Sequence, residues 1–220
     1  MSLILCIDTT SAISAVTLVR EGRILSERCN EHQPDHAAFL HPAIQDILQE
    51  SGTSLKELNA VSVCNGPGSY TGIRVGISSA KGLALALNIP LIMVDALTIL
   101  AKDAIDRTKK PEALYCSMID ARRMEVFSAM YNFDLTFNIS PSSLILDEST
   151  FSELEKEIVF AGSGSQKFQG LFQGKGVFLP QANTSKAFST LSQEKFDRKN
   201  FSDLINSDAF YLKEFYDNKK

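Results

Sequence analysis

The sequence predicts an α/β fold: a mixed sheet, antiparallel at one side and parallel at the other, covered by helices, followed by a second, reduced lobe of the same kind. Three observations lead there. The chain opens with three closely spaced apolar runs, Leu3 to Ile7, Ala15 to Val19 and Arg23 to Cys29, the last two joined by the tight turn Glu21-Gly22, which is the pattern of a strand meander. From Asp35 onward, helix-like and strand-like segments alternate, as they do when parallel strands are linked by crossover helices. Finally, Ile7-Asp8-Thr9-Thr10 is echoed by Ile119-Asp120-Ala121-Arg122, each an apolar run ending in aspartate ahead of another strand. We read this echo as a diverged duplication.

The elements follow in order. In DHAAFLHPAIQDILQESG, Leu40, Ala43, Ile44, Ile47 and Leu48 share one helix face, Asp35 can cap the start and Gly52 can end it. Pro42 lies past the first turn and predicts a local kink with the Ala38 carbonyl freed. Ser54-Leu55-Lys56-Glu57 is a capping box for a short helix. A strand Ala60 to Cys64, a glycine loop, a helix Thr71 to Asn88, a strand Ile89 to Val94 and a helix from Leu97 to about Arg107 complete a first lobe over residues 1–106. The order β-β-β-α-β-α-β-α is that of a ribonuclease H-like domain. Beyond the polar linker Asp106 to Pro111, the second lobe, 107–202, is expected to hold strands Leu114 to Ile119 and Glu125 to Asn132, a helix Phe151 to Lys156, a strand Ile158 to Ala161, a Gly-Ser-Gly turn, a strand Val177 to Leu179 and then polar sequence. Apolar residues at Leu204, Ile205, Tyr211, Leu212 and Phe215 predict an amphipathic closing helix over 203–220 that packs back on the first lobe.

Composition narrows the function. With 44% hydrophobic and 22% charged residues over 220 positions, the chain can bury a sizeable core. A formal net charge of -4 argues against nucleic-acid binding by this chain alone, which calls for a basic surface. Cys6, Cys29, Cys64 and Cys116 are far apart with no CxxC pair, which fits buried thiols in a reducing compartment. No apolar run approaches the roughly 18 residues of a membrane span, and MSLILCIDTT has neither a basic flank nor a cleavage site, so a cytoplasmic setting without membrane contact is expected.

The stretch NGPGSYTGIRVG, Asn65 to Gly76, looks like a phosphate-gripping loop but has no lysine in the Walker register, and Thr71 stands where GxGxxG needs glycine. Two readings stay open. Gly66 and Gly68 can make a sharp strand-to-helix turn capped by Thr71, or Gly66, Gly68, Ser69 and Thr71 can bind an anion at the helix N-terminus. On the helix behind it, Arg74, Ser78, Lys81 and Asn88 gather on a narrow polar face and the remainder is apolar or small. That apolar surface is wider than the stripe a single sheet requires. Gly72, Gly76 and Ser79 form a small-residue seam flanked by Ile73, Val75, Ile77, Ala80 and Leu83, which suits either a partner helix or burial within the domain. His32, His36 and His41 lie within ten residues, but Pro34 breaks the HxxxH pair as a helical unit, so a surface or interface role is expected and a metal is not.

The segments ILCIDTTSAISAVTL, HQPDHAAFLHPAIQDIL, VCNGPGSYTGIRVGISSAKGLALALNIPLI and IDARRMEVFSAMY resemble those of the TsaB (YeaZ) family of the ASKHA superfamily. The resemblance covers the first 132 residues well and the rest only faintly, at AGSG and YLKE. It implies two ribonuclease H-like lobes, the second reduced. It also implies a helical interface including His36, Phe39, Leu40, Gly72, Ile73, Gly76, Ile77, Ala80 and Leu83, through which the isolated chain forms a homodimer and the working chain binds a TsaD-type transferase. A TsaE-type ATPase and a threonylcarbamoyl-AMP synthase would complete the pathway to N6-threonylcarbamoyladenosine at position 37 of tRNAs that read ANN codons, with tRNA met only through the complex. The transferase would carry the metal, the ATP site and the chemistry, leaving this chain without catalytic residues, metal or cofactor. Asp8, Thr9 and Thr10 would be a phosphate-loop remnant, and Gly162-Ser163-Gly164 a remnant of an adenosine loop. Two rival readings are an M22-type glycoprotease, with Ser69 or Thr71 as nucleophile and His36 as base, and an ASKHA ATPase in its own right. No aspartate-oriented Ser-His arrangement is legible for the first, and only one partial phosphate loop for the second.

Overall fold

The computed structural model describes residues 2–30 and 35–213. In the first lobe, β1 (Leu3–Asp8), β2 (Ser14–Arg20) and β3 (Arg23–Asn30) form the expected antiparallel meander, with Glu21 and Gly22 turning at φ 49° and 75°. β4 (Ala60–Cys64) pairs in parallel with the other side of β1, and β5 (Leu91–Val94) pairs in parallel with β4, giving the order β3-β2-β1-β4-β5. β4 and β5 are buried at every position, which is why they read as continuous apolar runs rather than alternating ones.

Two helices cover one face of this sheet. α1 (His36–Glu50) turns Leu40, Ala43, Ile44, Ile47 and Leu48 inward, and the Asp35 carboxylate accepts the Ala38 N–H at 3.0 Å as its cap. Pro42 lies inside this helix, which runs unbroken to Glu50. α2 (Tyr70–Leu87) packs beside it over Leu5, Ile7, Val61 and Val63, and ends on Asn88 in the left-handed conformation. The capping box at Ser54 forms, with its N–H donating to Glu57 at 2.9 Å, but the segment it starts is one 3-10 turn, Leu55–Glu57. α3 (Ala96–Thr108) follows β5, its first turn held by the Asp95 carboxylate, which accepts the Thr98 N–H at 2.8 Å.

In the second lobe β6 (Leu114–Asp120), β7 (Glu125–Tyr131), β8 (Phe137–Ile145), β9 (Ile158–Ala161) and β10 (Gly176–Phe178) form a sheet whose order, read as β8-β7-β6-β9-β10, repeats that of the first lobe strand for strand. The pairings repeat too: β6 with β7 antiparallel, β6 with β9 parallel. α4 (Ser165–Phe168) is a single turn, and the core beneath it is a cluster of Phe151, Phe160, Phe168, Phe172 and Phe178 with ring centroids 4.5–6.5 Å apart.

Several expectations are corrected here. The chain divides within α3: residues up to 99 together with 183–209 form one unit, and 100–182 with the described residues from 210 form the other. The second lobe therefore ends at 182 rather than 202. The segment that looked merely polar is a helix of the first unit, α5 (Ser185–Asp197), which packs on the sheet face opposite α1 and α2. Its serines carry no apolar signal in the sequence, yet Ser185, Ser189 and Ser192 are buried; Ser192 Oγ donates to the Phe188 carbonyl at 2.8 Å and meets Ser62 Oγ at 2.7 Å, whereas Ser189 Oγ is buried without a partner among the described residues. The closing helix is absent over its described part, 203–213. Ser202 instead donates its N–H to the Leu91 carbonyl at 2.8 Å, and Asp203 accepts the N–H groups of Ile205 and Asn206 in a tight turn. Residues 214–220, with Phe215, lie outside the described residues. Phe151 to Lys156 forms turns in place of the expected helix, because Phe151 adopts φ 61° and inserts into the phenylalanine cluster. β8 went unread since it is an edge strand, exposed at most positions and carrying Pro141. Among the described residues no helix is long and apolar enough to cross a membrane.

Candidate functional site

The glycine loop lies between the carboxyl end of β4 and the start of α2, where an α/β sheet offers a crevice for ligands. Its chemistry is decided by the turn after β1. Ser69 donates its N–H to the Thr10 carbonyl at 2.6 Å, while Ser69 Oγ accepts the Gly72 N–H at 3.2 Å and its carbonyl accepts the Ile73 N–H at 2.8 Å. Ser69, not Thr71, is the cap; Thr71 sits exposed in the first turn of the helix. A Cβ at Gly68 would overlap the Thr10 carbonyl, and one at Gly72 the Thr9 carbonyl. Thr9 Oγ1 donates to the Gly72 carbonyl at 2.7 Å and stands against Gly76. Gly66 belongs to the same arrangement from the other side, its carbonyl accepting the Ala96 N–H at 2.7 Å and so fixing the start of α3. At the N-terminus of α2 the Ser69 amide is thus taken by a backbone carbonyl of this chain and the Gly72 amide by the Ser69 hydroxyl, which leaves fewer donors to offer an anion.

Asp8 shapes that turn. Its Oδ1 accepts both the N–H and the hydroxyl of Thr10, at 2.9 and 2.7 Å. Burial pushes the Asp8 carboxyl above the usual carboxylate range, opposed by the two Thr10 bonds and by His36 nearby. His36 is 8% exposed, with Nδ1 2.6 Å from the fully buried Ser14 hydroxyl and its ring against Gly72. The hydroxyl at this histidine is therefore that of Ser14, shut away from solvent. The Ser69 oxygen is engaged with Gly72. His41 is exposed, 3.3 Å from Ser79 Oγ, and His32 lies outside the described residues. Among the described residues no three histidine, cysteine or acidic side chains come together as a metal site.

The second lobe repeats the turn. Asp120 Oδ1 accepts the Arg122 N–H at 2.7 Å, the same two-residue step as Asp8 to Thr10. Gly162 and Gly164 follow β9 as Gly66 and Gly68 follow β4, and a Cβ on them would press on the Met118 carbonyl and the Ile119–Asp120 peptide. Gly162-Ser163-Gly164 is thus the second-lobe counterpart of the glycine loop.

The faces of α2 also need correction. Gly72, Ile73, Gly76, Ile77 and Ala80 are buried against β1, β4 and the Thr9 turn, and on α1 His36 and Leu40 are buried as well. Of the interface set, only Phe39 and Leu83 retain partial exposure. The sequence could not choose between the two sides of a helix that is small or apolar nearly all round. The side left outward carries Arg74, Ser78, Gly82, Leu85 and Ala86, with Leu85 71% exposed and open space around Gly82. Ser78, Gly82 and Ala86 recur every four residues, so the exposed small-residue seam runs one helix face away from the expected one. Ala37, Ala38 and His41 of α1 lie exposed beside it. Lys81 is not a free polar residue: its ammonium donates to the carbonyls of Ile205 and Ser207, tying the C-terminal segment to α2.

The comparisons with known proteins fit this architecture. The family model described as TsaD, tRNA N6-adenosine threonylcarbamoyltransferase, matches residues 24–204. The chain is 34% identical to the "tRNA threonylcarbamoyladenosine biosynthesis protein TsaB" of Escherichia coli (strain K12), over 80% of this chain and 78% of that protein. It belongs to the TsaB (YeaZ) family. The protein of the same name from Buchnera aphidicola subsp. Acyrthosiphon pisum is 31% identical over 96% of this chain and 97% of its own length. The solved structure of YeaZ from Pseudomonas aeruginosa superposes with a TM-score of 0.82 at 28% identity, covering 96% of this chain and all of that one. The TsaB fold of two mixed sheets covered by helices is thus the fold of this chain.

Two outcomes follow. Gly72→Ala should destabilise the chain by about 2 kcal/mol or more, since backbone stands where the methyl would go, whereas Gly82→Ala should stabilise it by roughly 0.5–1 kcal/mol, as in any open helix interior; urea denaturation of both variants checks this. Asp8→Asn keeps an acceptor for Thr10 and removes the buried charge. Because the folded Asp8 pKa is raised, its stabilising share is present below the unfolded value near about 3.9 and is lost as pH rises through the folded value. Thermal melts should therefore find the variant more stable than the parent at pH 7, with the gap closing toward pH 4; a gap independent of pH would contradict the assignment.

Proposed function

We propose that this chain is the non-catalytic subunit that docks on a TsaD-type transferase and supports formation of N6-threonylcarbamoyladenosine at position 37 of tRNAs reading ANN codons. One observation carries the reading beyond the family name: at the helix N-terminus that would grip a phosphate the Ser69 amide is taken by the chain's own Thr10 carbonyl, while the outward side of the same helix is a small-residue surface. Relatives bearing the name tRNA threonylcarbamoyladenosine biosynthesis protein TsaB support the pathway. The transferase supplies the metal, the nucleotide site and the transfer step, a TsaE-type ATPase joins the complex, and the isolated chain pairs with a second copy. The setting is the cytoplasm.

The docking surface combines Ala37, Ala38 and His41 of α1 with Ser78, Gly82, Leu85 and Ala86 of α2, all exposed. Gly82, with nothing within 4 Å of a Cβ placed on it, lets a partner helix approach closely. This replaces Gly76, which is buried against Thr9, as the position at which to break assembly.

Gly82→Leu should raise the melting temperature of the isolated chain slightly, as Gly82→Ala should, and weaken binding to the transferase at least about tenfold, roughly 1.4 kcal/mol. Calorimetric titration measures the binding, and reconstitution with the transferase, the TsaE-type ATPase and the threonylcarbamoyl-AMP synthase should show a matching loss of modified tRNA. Full modification without this chain would refute the proposal, and undiminished assembly by the variant would refute the surface.

A further inference from the structure

The turn between β6 and β7 holds two consecutive arginines in the left-handed region, Arg122 at φ 71° and Arg123 at φ 50°. Side chains with a Cβ adopt that region reluctantly, and glycine or asparagine is its usual occupant. Here the surroundings impose it. Asp120 Oδ1 accepts the Arg122 N–H at 2.7 Å, the Arg122 carbonyl accepts the Glu125 N–H at 3.1 Å, and the Glu125 carbonyl accepts the Ala121 N–H at 3.1 Å. From α4, Lys167 Nζ donates to Asp120 Oδ1 at 2.6 Å, the Arg123 carbonyl at 2.8 Å and the Glu125 carbonyl at 2.6 Å, a cage of three oxygens around one ammonium.

This arrangement has an electrostatic consequence. The nearest carboxylate in sequence, Asp120, is taken by Lys167, whose bond holds its carboxyl below the usual range. Glu125 is taken by Ser143 and Lys213. Arg122 and Arg123 are both exposed, and among the described residues neither guanidinium has a carboxylate partner. Two consecutive exposed residues with unneutralised planar forks therefore sit on a backbone fixed at several points, in a chain whose net charge is -4. Guanidinium pairs of this kind match phosphate oxygens in bidentate geometry, and a pre-set backbone lowers the ordering cost of binding.

We propose that Arg122 and Arg123 form a clip for the phosphodiester backbone of RNA, by which this subunit touches the tRNA directly. The proposal rests on the functional reading above and adds a contact to it. An acidic chain gains little RNA affinity from its overall field, so the clip works as a local contact inside a complex whose partner supplies most of the basic surface.

The test uses the assembled complex with the transferase and an unmodified tRNA transcript that reads an ANN codon. The Arg122→Gly/Arg123→Gly double variant gives both positions the residue that tolerates positive φ, so folding should be unharmed by thermal melt, and gel filtration should show assembly intact. Its RNA affinity should fall about tenfold, and the slope of log Kd against log salt should drop by about 1 to 2, one contact for each phosphate lost. The charge-matched control Arg20→Ala/Arg23→Ala, on the exposed β2–β3 turn, should keep the parent affinity and slope. Equal affinity and slope for the glycine variant, or an equal loss in the control, overturns the clip. So does saturable binding of inorganic phosphate at Arg122 and Arg123 without any effect of the variant on RNA. Failure of the parent chain to assemble with the transferase would instead refute the functional reading on which the clip rests, whereas normal assembly with unchanged RNA binding by the variant refutes the clip alone.

Discussion

The hydrogen bond from the Ser69 amide to the Thr10 carbonyl, with glycine at 68 and 72 to let the two backbones meet, is the constraint from which the first lobe is arranged. It seats the start of α2 on the turn after β1, and Thr9 Oγ1 bonding to the Gly72 carbonyl fixes the rotation of the helix. Once that rotation is set, Ile73, Ile77, Ala80 and Ala84 must face the sheet, and Ser78, Gly82, Leu85 and Ala86 must face out. The same contact thus occupies one amide of the helix N-terminus and sets which side of the helix faces out.

The second lobe carries the same device with a different ending. Its strand order, its aspartate two residues before a backbone amide and its paired glycines after the parallel strand all repeat. What differs is the group that closes the turn. In the first lobe the Ser69 amide at a helix N-terminus is met by a carbonyl oxygen; in the second the acceptor oxygens of Asp120, Arg123 and Glu125 are met by the Lys167 ammonium. Both turns are thereby stiffened, which suits a subunit that offers fixed surfaces.

Much of this was legible in the sequence, for physical reasons that can be named. The meander, the parallel strands and the helix capped by Asp35 were readable because each follows a simple period and carries its own stop signals. The echo of Asp8 in Asp120 was readable because an aspartate at a strand end is a local signal, and the matching strand orders bear it out. α5 was not readable, since a serine such as Ser192 behaves as a small buried residue only after its hydroxyl finds a helix carbonyl and a facing strand. The outward face of α2 was not readable either. Gly72, Gly76 and Gly82 look alike in sequence, and only the approach of Thr9 tells the packed glycines from the open one. The tie between Lys81 and the 205–207 carbonyls joins residues more than 120 positions apart, beyond the reach of any local pattern.

The most direct test of the account is the scalar coupling across the hydrogen bond from the Ser69 amide nitrogen to the Thr10 carbonyl carbon, recorded by NMR on the isolated chain with and without excess magnesium ATP. The account predicts that the coupling is present in the free chain and persists unchanged with nucleotide, because the Ser69 and Gly72 amides already have acceptors within the chain. Disappearance of the coupling on addition of nucleotide, together with saturable shifts of the Ser69 and Gly72 amides, would contradict it and return the loop to phosphate binding.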